Sequence, residues 1–426
     1  MSGIHIHPHD ILDEGMSNII PHLEKLRDLQ YLFPQINTIF ERNPVPIGSL
    51  PRNPVHSVVY GNGTMQIVAP SYSDRGLDLR REPGISADRD PLMIIKKAMV
   101  DTNIEVVPWA NILNGHFEGD RLQHNQVIDY VGRPVQHWLC PNGPDVIELW
   151  AQVFADLFKR YGFTCVMIDR IRFPDWAGTA IDPTQVLTCF CEHCQKGMHT
   201  IGLDPDAVRQ AIGSWVALLG EKQFDTAGYF ARNNEVLAAW FRFRQDSVSA
   251  FIARLIEHTS SIAPGFTLWI DLWPPAYSWF LGQDYAELTA MAPTVKHFPY
   301  HKLGGGADVQ GLIESLASAD AEREAAFSAF LNFFDLPYPL SYAEFTADGF
   351  PIEFVRDQND LVRRKSAPGT RIFSGVQMWN LPPENLVDAI CAAEESAADD
   401  VLYYCYGWAT DDLFEAVRNL RDKGTH

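Results

Sequence analysis

Eight short apolar segments, separated mostly by stretches with helical spacing, constrain the fold of this chain most strongly. The segments are GIHIH (3–7), INTIFE (36–41), IEVVPWA (104–110), TCVMIDR (164–170), FTLWID (266–271), VKHFPY (295–300), RIFSGVQMW (371–379) and VLYYCYG (401–407). The intervening stretches space their apolar residues three and four positions apart, as amphipathic helices do. Strands that alternate with helices indicate βα units and a parallel sheet. Eight such units predict an α/β fold, a (β/α)₈ TIM barrel formed by residues 1–426 as a single domain.

Two long insertions interrupt this alternation. The first, 42–90, follows the second strand and is rich in Pro, Gly, Arg and Ser, whereas the second, 173–232, follows the fourth strand and contains a cysteine cluster. Insertions at the carboxyl ends of barrel strands build the rim of the active site. No GxGxxG motif follows the first strand, which argues against a dinucleotide-binding domain, and no organic cofactor is expected.

The charge balance narrows the classes of partner. The chain carries 54 acidic and 34 basic residues, a formal net charge of -20. Nucleic acids and anionic membranes attract concentrated Lys and Arg, so neither is an expected partner. The polar N-terminus lacks the features of a signal peptide and no apolar stretch reaches membrane-span length, so a cytoplasmic location is expected. The sequence does not determine the oligomeric state, and a homo-oligomer remains open.

Polar and aromatic side chains follow the predicted strands, at the end of the barrel where such folds carry out their chemistry. Aromatic faces stack on the C–H faces of sugar rings, while amides, imidazoles and charged groups bind hydroxyls. This mixture favours a small-molecule or oligosaccharide substrate. The candidate substrate-binding residues are His5, His7, Glu41, Trp109, Asn111, Arg170, Arg172, Trp273, His297, Tyr300, His301, Gln377, Trp379 and Tyr406.

Asp169 and Asp271 are the candidate catalytic residues, because each directly follows an apolar run at the end of one of two adjacent strands. Cleavage of a glycosidic bond needs two carboxyl groups, one protonated and one ionised. Arg170 or Arg172 would keep Asp169 ionised, and the apolar surroundings of Asp271 would raise its pKa and make it an acid. A structural Asp–Arg pair at the barrel mouth is the competing interpretation.

Two other functions remain open. His5 and His7 form an HxH pair, which in barrel hydrolases places two imidazoles on one face of a strand, so a metal-dependent hydrolase or isomerase is one alternative. The other alternative is a sugar-binding barrel without catalytic activity.

Cys189, Cys191 and Cys194 form a C-x-C-x-x-C motif that can hold one side of a tetrahedral zinc ion. The fourth ligand would be Cys140 or His193, and Cys140 is preferred because His193 lies inside the loop and would strain it. Four protein ligands make a closed, structural site. A structural Zn²⁺ is therefore expected, although reduced thiols without a metal would explain the same motif.

The segments CPNGPDVIELWAQVFADLFKRYGFTCVMIDRIRFP and CFCEHCQKGM resemble a broad group of bacterial glycoside-hydrolase-like (β/α)₈ proteins. The cysteine spacing is similar to that of the family 42 β-galactosidases, where one upstream Cys and a C-x-C-x-x-C bind structural zinc. That resemblance makes Cys140, Cys189, Cys191 and Cys194 the matching ligands. It implies a glycosidase, a hydrolase acting on glycosyl bonds in carbohydrate metabolism.

The catalytic residues of that family do not carry over. Those β-galactosidases end the fourth strand with Asn-Glu and the seventh with a nucleophilic Glu, whereas this chain has Asp169-Arg170 and Gln377 at these places. An Asp at the end of the fourth strand is instead similar to the nucleophile of many α-glycosidase barrels, an analogy of position alone.

Overall fold

A closed barrel of eight parallel strands forms the centre of the computed structural model, which describes residues 1–26, 28–41, 48–70, 72–178, 182–304 and 309–423. Neighbouring strands in the chain are neighbours in the barrel, and β8 pairs with β1. The strands are β1 (Ser2–Ile6), β2 (Leu29–Pro34), β3 (Glu105–Val106 and Trp109–Asn111), β4 (Cys165–Asp169), β5 (Thr267–Leu272), β6 (Thr294–His297), β7 (Arg371–Gln377) and β8 (Asp400–Tyr404). The predicted (β/α)₈ fold is confirmed.

Strand β3 is interrupted at Pro108, which has no N–H to donate to the ladder. The barrel still closes here, because Val107 N donates to Leu32 O (2.9 Å) and Met167 N donates to Pro108 O (2.8 Å). The first half of β3 pairs with β2 and the second half with β4.

The predicted position of the second strand was wrong. The strand is Leu29–Pro34, which precedes the predicted segment. The helix before it ends at Leu23. The predicted segment 36–41 lies in the loop at the carboxyl end of β2, where it bridges to residues 62 and 65. Glu41 is therefore a loop residue.

Helices surround the barrel and bury its outer surface. Five of them begin with proline in the first turn, where the missing N–H has no partner to lose. The helices are Pro8–Asp13, Met16–Leu23, Pro91–Ala98, Asp120–Gln123, Pro144–Asp156, Glu192–Thr200, Pro205–Gly220, Phe224–Asn233, Glu235–Ile262, Tyr285–Met291, Gln310–Leu316, Asp320–Phe333, Tyr342–Asp348, Glu353–Lys365, Pro383–Glu394 and Asp411–Lys423. Within the described residues, every helix is too short or too polar to cross a bilayer.

The described parts of segments 42–90 and 173–232 follow β2 and β4. Residues 42–47, 71 and 179–181 of these segments are outside the described residues. The first contains a short strand, Asp78–Leu79, which pairs with Phe117–Glu118. A hairpin of Gln126–Ile128 and Pro134–Leu139 follows β3. The second insertion is mainly helical, and a further helical segment, Asp320–Phe333 and Tyr342–Asp348, lies between β6 and β7.

Large side chains fill the lower part of the barrel interior. They form a cluster of their own, separate from the layer between strands and helices: Phe33, Val107, Trp109, Cys165, Met167, Phe373 and Leu402, with Tyr31, Trp269 and Tyr404 against them. Because this part of the interior is packed, the cleft that opens into the barrel lies at the carboxyl ends of the strands.

Candidate active site

A cleft with a cavity volume of about 110 Å³ opens at the carboxyl end of the barrel. Its lining comes from the ends of all eight strands and the loops that follow them. The charged and imidazole residues are His7, His9, Glu41, Asp169, Arg170, Arg172, Asp271 and Lys296; the aromatic residues are Trp109, Phe298, Tyr300, Trp379, Tyr404 and Trp408. Gln35, Thr38, Ile39, Val59, Gly61 and Gly304 complete the lining.

Asp169 ends β4 and points to the cleft because alternate residues of a strand share a face. Met167 and Cys165, two and four residues earlier, belong to the interior cluster. The Asp169 side chain is only 12% exposed, and its Oδ1 accepts a hydrogen bond from Arg172 (2.9 Å). Its negative charge is thus balanced by a buried guanidinium.

Asp175 fixes the two arginines that follow Asp169. Its Oδ2 accepts one hydrogen bond from Arg170 Nη1 and one from Arg172 Nε, each at 2.9 Å. Asp175 and Arg172 are fully buried. The sequence left open which arginine pairs with Asp169. The structure places the Arg172 side chain between Asp169 and Asp175, whereas the Arg170 side chain binds Asp175.

Asp271 and Lys296 form a buried ion pair in the same cleft. Lys296 Nζ donates to Asp271 Oδ2 at 2.8 Å and to the Tyr300 hydroxyl at 3.3 Å. Asp271 Oδ1 is buried and has no hydrogen-bond partner among the described residues. Burial raises the pKa of Asp271 to about 7; the negative charge of Asp169 adds to this rise, and Lys296 opposes it.

Aromatic rings form one wall of the cleft. Tyr300 and Trp408 each pack against Trp379, with ring centroids 5.2 Å and 5.3 Å apart. Tyr404 packs between Trp408 and Tyr300, at 5.7 Å and 5.9 Å. The cleft therefore combines flat apolar surfaces with a cluster of opposite charges.

Of the predicted site residues, nine line this cleft. Both candidate catalytic residues are among them, together with seven of the candidate substrate-binding residues: Asp169, Asp271, His7, Glu41, Trp109, Arg170, Arg172, Tyr300 and Trp379. His5 lies directly beneath, with its ring 4.3 Å from that of Trp109.

Three other predicted residues form hydrogen bonds with backbone or side-chain atoms of the loops around the cleft. Asn111 exchanges hydrogen bonds with Asn37, its Nδ2 donating to Asn37 O at 2.8 Å. Gln377 Nε2 donates to Trp379 O (2.9 Å), and the Tyr406 hydroxyl donates to Glu14 Oε2 (3.0 Å). These side chains hold the loops that shape the cleft.

The remaining three predicted residues are buried away from the cleft lining. The ring of Trp273 packs edge-on against Trp176 at 5.0 Å. His297 faces outward from β6 and donates to Asn359 Oδ1, and its burial lowers its pKa to about 3. The carbonyl of His301 accepts a hydrogen bond from Phe350 N (2.7 Å).

Lys296 is the main site residue that sequence reasoning missed. Strand alternation contained the signal, because His297 faces the helices and its neighbour must therefore face the barrel interior. His9, Gln35, Thr38, Tyr404 and Trp408 also line the cleft without having been chosen as site residues. Gln35 and Thr38 follow the true end of β2, which the sequence placed seven residues later.

Four buried cysteines form a group that could hold a metal ion. The sulfur atoms of Cys140, Cys189, Cys191 and Cys194 all lie within 4.8 Å of one another, and those of Cys140 and Cys194 are 3.3 Å apart. A tetrahedral ion with metal–sulfur bonds near 2.3 Å separates its ligands by roughly 3.8 Å, so the group fits such an ion after small shifts.

Nitrogen donors also point at these sulfur atoms. Ile128 N lies 3.4 Å from Cys189 Sγ, and Asn142 contributes its backbone N to Cys140 Sγ (3.4 Å) and its Nδ2 to Cys194 Sγ (3.3 Å). Such donors stabilise thiolates, the form of cysteine that binds metals. Cys140 lies in the loop after β3, so the group joins that loop to the insertion after β4.

Comparisons with known proteins agree on the fold. No protein-family model matches the sequence, and no curated protein matches it. Among solved structures, the catalytic domain of β-amylase from Paenibacillus polymyxa is similar with a TM-score of 0.54 and 8% identity, over 99% of this chain and 98% of that one.

Two β-galactosidases are similar over one part of their length. That from the psychrophilic Marinomonas ef1 matches with a TM-score of 0.54 and 10% identity, over 100% of this chain and 59% of that chain. A catalytic mutant of Gan42B, a GH42 β-galactosidase from G. stearothermophilus, matches with a TM-score of 0.51 and 11% identity. The match covers 99% of this chain and 56% of that chain. The chain spans a little over half of these β-galactosidase chains. It shares the (β/α)₈ fold of these solved structures.

Proposed function

We propose that this protein hydrolyses a glycosidic bond, with Asp169 and Asp271 as its pair of carboxyl groups. One observation carries the proposal: the two side chains end adjacent strands, line one cleft, and have opposite electrostatic surroundings. Glycosidases need one carboxyl group that is ionised and one that is protonated in the same site.

Asp271 is the proton donor in this proposal. Its pKa of about 7 keeps a large fraction of the group protonated near neutral pH. The buried Oδ1 has no hydrogen-bond partner among the described residues, so this oxygen is available to a leaving-group oxygen. Lys296, bound to the other oxygen, holds the carboxyl group in place.

Asp169 is the ionised partner, acting as nucleophile or as the group that stabilises an oxocarbenium-like transition state. The hydrogen bond from Arg172 fixes its orientation, and Asp175 fixes Arg172 in turn. Because one carboxylate oxygen accepts this bond, the other can approach the anomeric carbon.

The substrate class is a carbohydrate. Trp109, Trp379, Tyr404 and Trp408 provide planar surfaces for sugar rings, and polar groups such as Gln35, Thr38 and Glu41 are placed to bind hydroxyls. The glycoside-hydrolase-like fold supports this class without identifying the sugar.

We also infer that the four-cysteine group binds a structural zinc ion. Four thiolates suit zinc and leave no open position for a substrate. Bound zinc would link the loop after β3 to the insertion after β4, and it would not take part in the reaction.

The test is a panel of aryl α- and β-glycosides, assayed with the wild type and with Asp169→Asn and Asp271→Asn. Each variant should lose activity by about 10²-fold or more on the glycoside that the wild type cleaves. Asp246→Asn, which changes a half-exposed carboxylate on a surface helix, is the matched control and should retain activity. Binding of sugars without turnover by the wild type would instead support a sugar-binding barrel.

A further inference from the structure

The junction of β1 with its following helix brings together His7, His9 and Asp10. His7 is the last residue before the helix, and its backbone N donates to Asp10 Oδ2 at 3.0 Å. Pro8 begins the helix, which turns the chain so that the rings of His7 and His9 stack with centroids 5.2 Å apart and planes 12° apart. Two imidazoles and a carboxylate thus face one point.

Each of these side chains keeps a buried polar atom without a hydrogen-bond partner in the described part of the chain. The atoms are His7 Nδ1, His9 Nε2 and Asp10 Oδ1. Buried polar atoms are nearly always satisfied, so three unsatisfied atoms in one cluster call for a ligand. Asp10 is fully buried and His7 is 7% exposed, so bulk water does not account for them.

The spacing of these atoms fits a metal ion. His9 Nε2 lies 3.4 Å from Asp10 Oδ1, His7 Nδ1 lies 3.9 Å from Asp10 Oδ2, and all candidate ligand atoms lie within 4.8 Å of one another. Ligands of a tetrahedral ion with bonds of about 2.0–2.2 Å are separated by roughly 3.3–3.6 Å. Small side-chain rotations would bring the three atoms to these distances.

The surrounding backbone restrains the carboxylate. Gly407 passes so close that a Cβ there would lie 2.2 Å from Asp10 Oδ1. Only glycine allows this approach, so the loop after β8 holds Asp10 against the two imidazoles.

We propose that His7, His9 and Asp10 bind a divalent first-row transition-metal ion at the rim of the cleft. Imidazole ligands favour ions such as Zn²⁺, Co²⁺ or Ni²⁺, whereas Mg²⁺ and Ca²⁺ prefer oxygen ligands. Because His7 and His9 also line the cleft, the remaining coordination positions face the space where a ligand oxygen can reach them. This ion-binding site is independent of the glycosidase proposal.

This site differs from an HxH site of His5 and His7. His5 lies beneath the cleft against Trp109, Phe33 and Tyr404, and it is outside the group of ligand atoms that converge. The ligands instead follow an H-x-H-D pattern that starts at the end of the strand and continues into the helix.

The test uses full-length protein loaded with one equivalent of Zn²⁺ to fill the cysteine group, and Co²⁺ as the probe. Calorimetry and visible absorption should show one Co²⁺ per chain, with ligand-field bands but no sulfur-to-cobalt charge transfer. His9→Gln and Asp10→Asn should each weaken Co²⁺ binding by at least about tenfold. His22→Gln, a histidine on the neighbouring helix that pairs with Asp411, should bind as the wild type does.

Two results would overturn the proposal. One is the lack of any Co²⁺ binding beyond the cysteine group, as expected if His9 and Asp10 form only an ion pair. The other is binding that both variants leave unchanged. Because the His9 side chain is 17% exposed, His9→Gln should fold normally, and thermal unfolding without metal checks this.

Discussion

Lys296 Nζ lies 2.8 Å from Asp271 Oδ2, and the two side chains pair across neighbouring strands of the barrel with exposed fractions of 2% and 1%. Both residues face the cleft. The charges around Asp271 are Lys296 and Arg172, which favour its ionised form, and Asp169, which disfavours it; the hydroxyls of Tyr300 and Tyr404 are also close. Lys296 is therefore the group that most directly controls the proton on Asp271.

Replacing Lys296 with methionine should raise the pKa of Asp271 further, because the substitution removes the positive charge that lowers it. If Asp271 is the general acid, the basic limb of the kcat/KM profile should move from near pH 7 to higher pH. Lys159→Met, an exposed lysine on another element, serves as the control. An unchanged basic limb in Lys296→Met would argue against Asp271 as the acid.

The same variant should lose stability in a pH-dependent way. At pH 8 the substitution leaves the ionised Asp271 carboxylate buried without its partner. The free energy of unfolding should then fall by about 3–5 kcal/mol. At pH 5 Asp271 can bind a proton instead, so the loss of unfolding free energy should be smaller. Urea unfolding at both pH values measures the difference, and equal losses would contradict the assigned ion pair.

The pKa of Asp271 also sets how wild-type stability depends on pH. In the folded protein its pKa is about 7, above the ordinary value of 3.8. Its contribution to the stability of the folded state is therefore fully present below pH 3.8 and is lost as the pH rises through 7. Relative to Asp271→Asn, the free energy of unfolding of the wild type should fall by up to roughly 1.4 kcal/mol per pH unit within this window. Parallel urea titrations of the two proteins between pH 5 and 8 test this, and curves that stay parallel would show that Asp271 titrates normally.

Arg172 should be a strong determinant of stability as well as of activity. Arg172→Ala removes the guanidinium that pairs with Asp169 and one of the two guanidiniums that pair with Asp175. Because these carboxylates are buried, the substitution should lower the unfolding free energy by about 3–5 kcal/mol. Arg356→Ala, which removes an exposed pair with Glu395, should cost less than about 1 kcal/mol. Similar costs for the two variants would mean that the buried network contributes little.

Much of the fold could be predicted from apolar patterning, because strands buried on both faces leave continuous apolar runs. Asp169 and Asp271 are visible for the same reason, as each directly follows such a run. The position of the second strand could not be predicted, because residues 29–34 and 36–41 are both candidate strand segments. Only the pairing with β1 in the folded protein selects the first of them.

The direction of side chains was harder to predict than their position in the chain. His297 and Lys296 are adjacent at the end of β6, yet one packs on a helix and the other lines the cleft. The bond between Arg172 and Asp175 depends on how the loop after β4 folds back, which no local pattern encodes. The sequence alone therefore left open whether Arg170 or Arg172 pairs with Asp169.

The cysteine group should contain one zinc ion per chain, measurable by elemental analysis of the purified protein. Cys191→Ser should lose this ion and unfold at a lower temperature, because metal bound only to the folded state stabilises it. Cys391→Ser, outside the group, should keep the zinc. Retention of zinc by Cys191→Ser, or its loss from both variants, would contradict the assignment.

The central claim is tested most directly by kcat/KM of the wild type, Asp169→Asn and Asp271→Asn on one glycoside that the wild type cleaves, with product stereochemistry followed by NMR. Both variants should lose about 10²-fold or more in kcat/KM, while Asp246→Asn should stay active. Full turnover by either Asp169→Asn or Asp271→Asn would contradict the central claim.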